Sequence, residues 1–131
     1  MKYIIIVGCG KTGRELALEF SLSFNVTVID KSLRSLDSLG ENFNGRKVLG
    51  DVLDVKVLEE AGIRDADVII LVTGNDNLNL VVGKIAKEMY KVEKVVLQVY
   101  DTVKRRIFQN KGMVIVDRTS LLVEVFKKCI L

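Results

Sequence analysis

Histidine, tryptophan and proline are all absent from this chain of 131 residues, and the only two cysteines, Cys9 and Cys129, lie far apart in the sequence. Without histidine, the chain lacks the base that Ser-His and Cys-His catalysis require. Neither cysteine has a neighbour at the spacing of a zinc site. We therefore expect two reduced thiols, as in cytoplasmic proteins, with no metal site and no catalytic residue.

Long apolar runs and strongly charged segments are also missing. No segment reaches the roughly 20 apolar residues that span a bilayer, and a glycine motif stands where a signal peptide would carry its cleavage site. The net charge is only +3, and the one tight basic run is Lys104-Arg105-Arg106. Such a run is typical of a solvated helix face. A nucleic-acid-binding protein more often has a basic stripe with interleaved aromatic residues, so we expect no nucleic-acid partner.

The chain does contain a regular alternation of short apolar runs and amphipathic segments, in a length typical of one domain spanning residues 1–131. The apolar runs predict six strands, at residues 3–7, 26–29, 47–49, 67–72, 95–99 and 113–116. The amphipathic segments predict helices at 12–24, 33–39, 55–61, 77–90, 103–109 and 120–131. This alternation predicts a Rossmann-like, doubly wound α/β fold. Its six-stranded parallel sheet has helices on both faces and a ligand crevice between the first and fourth strands.

The first predicted strand leads directly into Gly8-Cys9-Gly10-Lys11-Thr12-Gly13, which fits the pattern G-x-G-x-x-G at the start of a helix. In dinucleotide-binding folds the first glycine allows a tight turn, and the second lets the backbone approach a pyrophosphate. The third lets the helix pack closely against the sheet. The phosphates then face free N–H groups and the positive end of the helix dipole. We interpret Cys9 as a small buried residue and not as a reactive thiol.

Asp30, at the end of the second predicted strand, strengthens this weak motif. A carboxylate at this position accepts hydrogen bonds from both ribose hydroxyls and repels a 2′-phosphate. It therefore favours NAD or an adenine nucleotide over NADP. The competing interpretation is that Asp30 caps the helix that starts near Ser32. Together with the glycines, nucleotide binding is the favoured interpretation.

Two more segments follow the third and fourth predicted strands, so they reach the same edge of the sheet. Asp51 is placed to accept from an adenine amino group, with the backbone of Val52 nearby, and it is equally compatible with a turn or a helix cap. Gly74, in Thr73-Gly74-Asn75-Asp76-Asn77, allows the backbone to approach a ligand. We expect Asn75 or Asp76 to be the N-cap of the helix that follows.

The order of these motifs resembles the N-terminal domain of the RCK family, the regulators of potassium conductance, also called KTN or TrkA-N domains. The resemblance covers essentially the whole chain. It rests on residues 5–13, 28–31, 50–54, 58–63, 65–68, 73–76, 79–80 and 108–116. The Gly-Asp-x-x-Asp piece at 50–54 and the Ala-Gly-Ile-x-Asp-Ala-Asp piece at 61–67 are much more specific than the glycine motif.

The resemblance implies a regulatory domain that is not an enzyme. Such domains lie at the cytoplasmic face of membrane-embedded potassium channel or transporter subunits, bind NAD(H), ATP or ADP, and assemble as homodimers or larger rings. It further implies that the helix at 120–131 crosses to a partner subunit. The implied nucleotide-binding residues are Gly8, Cys9, Gly10, Lys11, Thr12, Gly13, Asp30, Lys31, Asp51, Val52, Thr73, Gly74 and Gln98.

Three features depart from the family pattern. Gln98 stands where the family has an arginine in the fifth strand, and Asp117-Arg118 replaces a Pro-Glu pair associated with a bridging cation. The third departure is that the sequence matches one lobe only, without the C-terminal lobe common in these regulators. The missing arginine disfavours ATP, so we expect NAD(H), with ATP, ADP or AMP as alternatives. An NAD-dependent oxidoreductase fragment and a generic nucleotide-binding module are the alternative functions.

Overall fold

Six parallel strands form one sheet in the computed structural model, which describes residues 2–131. The strands are β1 (Tyr3–Val7), β2 (Asn25–Asp30), β3 (Arg46–Leu49), β4 (Val68–Leu71), β5 (Lys94–Val99) and β6 (Val114–Asp117). Their order across the sheet is β3-β2-β1-β4-β5-β6, and every neighbouring pair is parallel. The prediction of a doubly wound sheet with β1 beside β4 is confirmed.

Helices connect successive strands. They are α1 (Lys11–Phe20), α2 (Leu33–Asp37), α3 (Val55–Glu60), α4 (Asp76–Glu88), α5 (Thr102–Phe108) and α6 (Arg118–Ile130). A short 3₁₀ helix at Ile63–Asp65, which the sequence pattern does not predict, follows α3. None of the helices in residues 2–131 is long and apolar enough to cross a bilayer.

Four predicted helix boundaries were wrong by two to four residues, the simplest being the end of α4 at Glu88 and not at residue 90. The chain leaves α1 at Phe20, not at residue 24, because residues 21–24 turn back and the N–H of Asn25 already pairs with Lys2 O. Similarly, α2 ends at Asp37, and the buried Leu39 belongs to the segment after it. The last helix begins two residues early because Asp117 is its N-cap and accepts from Ser120 N–H.

Both faces of the sheet are buried, which explains the unbroken apolar runs in its central strands. One face packs Ile5, Val7, Ile69 and Leu71 against side chains of α3 and α4 that include Leu58, Leu80, Val82 and Ala86. The opposite face packs Ile4, Ile6, Val26, Val28 and Ile70 against side chains of α1 and α2 that include Ala17 and Leu36. The helices cover both faces of the sheet, so the ends of the strands are left accessible to a ligand.

The carboxyl end of β1, the start of α1 and the end of β4 meet at two glycines. Gly8 has a φ of +105°, and a Cβ built on it would lie 2.9 Å from the backbone nitrogen of Thr73. A Cβ on Gly13 would lie 1.9 Å from the carbonyl oxygen of Gly8. Because these are backbone atoms held by the sheet, neither position has room for a side chain.

The terminal helix α6 packs very differently from the others, since none of its residues is buried. Leu121 is 57% exposed, Phe126 is 66% exposed and Ile130 is 81% exposed. Its contacts with the rest of the domain are mainly with the neighbouring β6. The apolar side chains of α6 therefore find no covering surface within the described chain.

The contact between Gly13 and Gly8 predicts a specific loss of stability. We expect Gly13→Ala to lower the free energy of unfolding by about 2–3 kcal/mol, because the added methyl must push the backbone of Gly8 away. Gly74→Ala is the matched control, since a Cβ at Gly74 meets no atom within 4 Å, and its effect should stay within about 0.5 kcal/mol. Urea denaturation followed by circular dichroism measures both, and equal losses would contradict the packing argument.

Candidate functional site

A cavity of about 410 Å³ lies at the carboxyl ends of β1, β2, β3 and β4. The strand order reverses here, since the chain continues from β1 toward β2 on one side while β4 lies on the other. Ligands of doubly wound folds bind at this switch point. The cavity is lined by Val7, Gly8, Cys9, Gly10, Ile29, Asp30, Lys31, Ser35, Gly50, Asp51, Val52, Val72, Thr73, Gly74, Asn75 and Leu78.

Most of the predicted nucleotide-binding residues line this cavity. Those that line it are Gly8, Cys9, Gly10, Asp30, Lys31, Asp51, Val52, Thr73 and Gly74. Four others do not line it. Lys11 lies in an adjoining groove with Arg14 and Arg34, Gly13 packs under Gly8, and Thr12 and Gln98 lie near Arg118.

Two glycines of the cavity, Gly10 and Gly74, differ from the closely packed Gly8 and Gly13. A Cβ at Gly10 or at Gly74 would meet no protein atom within 4 Å. Both residues line the cavity. The packing of the protein therefore does not require glycine at either position, and the space that a side chain would fill belongs to the cavity. This arrangement lets a ligand approach the protein backbone closely.

Asp30 lines the cavity and also accepts two backbone hydrogen bonds, although it is not the N-cap that the competing interpretation predicted. One carboxylate oxygen accepts from Cys9 N–H at 2.8 Å, which ties the end of β2 to the glycine loop. The other accepts from Ser32 N–H at 2.8 Å and so shapes the entry to α2, whose N-cap is Ser32 itself. Each carboxylate oxygen can accept a second hydrogen bond. The half-buried Asp30 thus keeps acceptor capacity at the cavity.

The remaining caps follow the sequence interpretation in part. Asp51 accepts from Leu53 N–H at 3.0 Å as a turn residue, while Asp54 is the N-cap of α3. Asn75 is the N-cap of α4 and accepts from Leu78 N–H. Asp76 instead holds the backbone N–H groups of Tyr100 and Asp101 at the end of β5.

Asn79 in α4 was missed as a supporting residue by sequence reasoning. It is fully buried, accepts from Thr73 N–H at 3.3 Å and donates to the carbonyl oxygens of Thr73 at 3.1 Å and Gln98 at 3.0 Å. Gln98 in turn donates to the Thr73 carbonyl at 3.1 Å. These bonds fix the loop after β4 at the cavity wall. The available signal was an asparagine beside the buried Leu80 within a helical pattern.

The environment of the Cys9 thiol does not favour reactivity. The side chain is buried, and its Sγ donates to Ser35 O at 3.2 Å. Burial raises the pKa of the Cys9 thiol above its ordinary value, and the nearby Asp30 carboxylate raises it further. The thiol therefore stays protonated at neutral pH, and a nucleophilic thiolate is disfavoured.

The comparison with known families and proteins agrees with this geometry. The TrkA-N domain model matches residues 4–119. The Trk system potassium uptake protein TrkA of Streptomyces coelicolor is 37% identical over 112 residues, which are 85% of this chain and 50% of that protein. The TrkA homolog of Pyrococcus abyssi is 34% identical over 110 residues, 82% of this chain and 48% of that protein. The chain thus spans about half the length of these relatives.

Solved structures share the fold at lower sequence identity. The TrkA-N domain of the inner membrane protein ybaL from Escherichia coli superposes with a TM-score of 0.88, at 18% identity and over 99% of this chain and 97% of that one. The GsuK channel bound to NAD gives a TM-score of 0.78 at 20% identity, over 92% of this chain and 22% of that one. The Kef C-terminal domain of Shewanella denitrificans in its AMP-bound form gives a TM-score of 0.76 at 18% identity. The match covers 99% of this chain and 83% of that one.

The glycine loop, the acidic end of β2 and the loop after β4 thus meet at one edge of a doubly wound sheet, within a sequence that matches one family model over residues 4–119. This chain belongs to the TrkA-N domain family.

Proposed function

We propose that this chain is the nucleotide-binding unit of a cytoplasmic regulator of potassium uptake or of a potassium channel. It binds NAD(H), with ATP, ADP or AMP as alternatives, and carries no catalytic residue of its own. The single observation that carries the proposal is the cavity where Gly10, Asp30 and Gly74 converge at the switch point of the sheet.

The phosphate end of the ligand would lie against the residues from Gly8 to Gly13. The N-cap of α1 is Gly10, which has no side chain to compete with a ligand, and the first turn of α1 contains no acidic residue. The first backbone N–H groups of a helix lack partners within that helix and attract anions. A pyrophosphate therefore finds donors and a favourable dipole with no opposing carboxylate in that turn.

The adenosine end would extend from Asp30 toward Asp51 and Val52. Asp30 offers acceptors to two ribose hydroxyls, and the buried side chain of Val52 gives adenine an apolar contact. Structural neighbours support a ligand of this class, since they include GsuK bound to NAD, GsuK bound to ADP and a Kef domain bound to AMP. The shared adenosine half explains why one type of cavity serves all of them.

The relatives support a membrane partner for the regulator. TrkA proteins are named as parts of the Trk potassium uptake system, so the proposed partner is a membrane-embedded potassium transporter or channel subunit. Residues 1–131 act as one domain at the cytoplasmic face. The ligand is bound unchanged and acts through the conformation of the protein, whereas an oxidoreductase would consume NADH with a carbonyl substrate.

We further propose that α6 pairs this chain with a second copy of itself. Leu121, Leu122, Val125, Phe126 and Ile130 form an exposed apolar strip on this helix. A small domain rarely leaves such a patch in water, and pairing two identical helices would cover both copies at once. Homodimers could then assemble into a larger ring.

Asp30→Ala should lower the affinity for NADH and for ADP by at least about tenfold, since a hydrogen bond to a charged group is worth roughly 1.5–3 kcal/mol. The affinity of Asp30→Asn should lie between those of Asp30→Ala and the wild type, because asparagine keeps one acceptor oxygen. Isothermal titration calorimetry measures both ligands. Asp37→Ala is the control, because Asp37 is exposed at the end of α2 and outside the cavity lining.

Because Asp30 also holds Cys9 and Ser32 N–H groups, each variant needs a thermal melt to show that it is folded at the titration temperature. Folded Asp30→Ala protein with wild-type affinity would refute the ribose assignment. Wild-type protein that binds none of NADH, ADP, ATP and AMP would refute the nucleotide site. Steady oxidation of NADH with a carbonyl substrate would favour the oxidoreductase alternative.

Phe126→Glu should shift the protein from dimer to monomer, because it places a charge in the strip that the second copy would cover. Lys127→Glu makes a charge change of the same sign on the opposite side of the helix, where Lys127 pairs with Glu124, and should leave the dimer intact. Multi-angle light scattering across a range of protein concentrations measures the mass. A wild-type protein that is monomeric at all concentrations would contradict the pairing of α6.

A further inference from the structure

Arg118 lies at the point where α6 begins, beside the first turn of α1. Its Nη1 donates to the Thr12 hydroxyl at 3.1 Å and to the Gln98 side-chain oxygen at 3.4 Å. Its guanidinium also lies over the ring of Tyr100, 5.5 Å from the ring centre. Residues 12 and 118 are brought together from nearly opposite ends of the chain by the order of the strands.

The positive charge of Arg118 is not matched by a carboxylate. The ion pairs within residues 2–131 join Arg14 to Glu15, Arg64 to Glu59 and Lys127 to Glu124, and Arg118 takes part in none of them. Its three contacts are with neutral groups of Thr12, Gln98 and Tyr100. Since both hydrogen bonds use Nη1, the other donors of the guanidinium are free for an acceptor. The side chain is half-buried, so its charge is screened less than that of a fully exposed arginine.

We propose that Arg118 binds a phosphate group of the nucleotide and selects ligands by their phosphate charge. The inference rests on the proposed nucleotide site, because the phosphates must lie against the loop from Gly8 to Gly13 for Arg118 to reach them. An arginine fork pairs with phosphate oxygens through two parallel hydrogen bonds. Lys11 is the cation of the glycine loop itself and lies in the groove next to the cavity.

Gln98 explains why this charge comes from α6. The buried Gln98 side chain on β5 joins the Thr73 carbonyl to Arg118 through its amide nitrogen and oxygen. It therefore fixes the guanidinium with a neutral acceptor. An arginine at position 98 would face Arg118 at close range with a like charge, so the two positions cannot readily carry a cation together. Arg118 takes the place of the arginine that β5 lacks.

The test is a charge series at one position. NADH and ADP affinities are measured by calorimetry for the wild type, Arg118→Lys, Arg118→Gln and Arg118→Glu. We expect affinity to fall in that order, by about tenfold or more for Arg118→Gln and further for Arg118→Glu. Arg118→Lys should recover part of the loss, since it restores the charge but not the fork. A merely structural contact to Thr12 would not follow the sign of the charge.

The same series at Arg106, an exposed residue of α5, controls for the net charge of the protein. It should change affinity by less than about threefold, well under the effect expected from losing a charged hydrogen bond. Thermal melts identify any variant that is not folded, and Arg118→Lys, the mildest change, keeps the test decisive if Arg118→Glu is lost. A flat series at Arg118 with normal wild-type binding overturns this inference alone. Absence of wild-type binding overturns the nucleotide site itself.

Discussion

The close approach of Gly13 to the backbone of Gly8 is the constraint on which the rest of the site depends. A Cβ on Gly13 would lie 1.9 Å from the Gly8 carbonyl, and one on Gly8 would touch the amide of Thr73. Three backbone segments, from β1, α1 and the loop after β4, therefore meet without intervening side chains. Asp30 adds the end of β2 by accepting the Cys9 N–H. The polar groups of four elements thus lie close together. Side chains at positions 8 and 13 would push these elements apart.

Much of this arrangement could be predicted because it depends on local patterns. The unbroken apolar runs in β1 and β4 reflect burial on both faces of the sheet, and the glycine motif reflects backbone contacts over five residues. Helix ends were less predictable. The apolar pattern that predicts α1 continues through Phe24, yet the helix ends at Phe20 because Asn25 already belongs to β2. Only the pairing of strands, which is not local, sets that boundary.

The residues whose contacts the sequence could not predict are those whose partners are distant in the chain. Asn79 looks like a surface residue of an amphipathic helix until Thr73 and Gln98 provide its four buried hydrogen-bond sites. Arg118 looks like a departure from the family pattern until the strand order places it beside Thr12. Asp30 shows a related difficulty: ribose binding and a structural role compete as interpretations. The carboxylate accepts from the Cys9 and Ser32 N–H groups and still has acceptor sites for a ligand.

The position of the proposed counter-charge would also decide how ligand binding reaches the rest of the protein. An arginine on β5 would be fixed by the central sheet, whose neighbours pair with it on both sides. Arg118 instead begins a helix that has no buried residue and few contacts with the rest of the domain. Elements with few buried contacts respond most readily to a local change in free energy. A phosphate bound by the free donors of Arg118 would therefore act on the orientation of α6, the element that carries the exposed apolar strip. In this proposal, a charge on the helix and not on the strand would join ligand binding to the surface through which the chain would meet its partner copy.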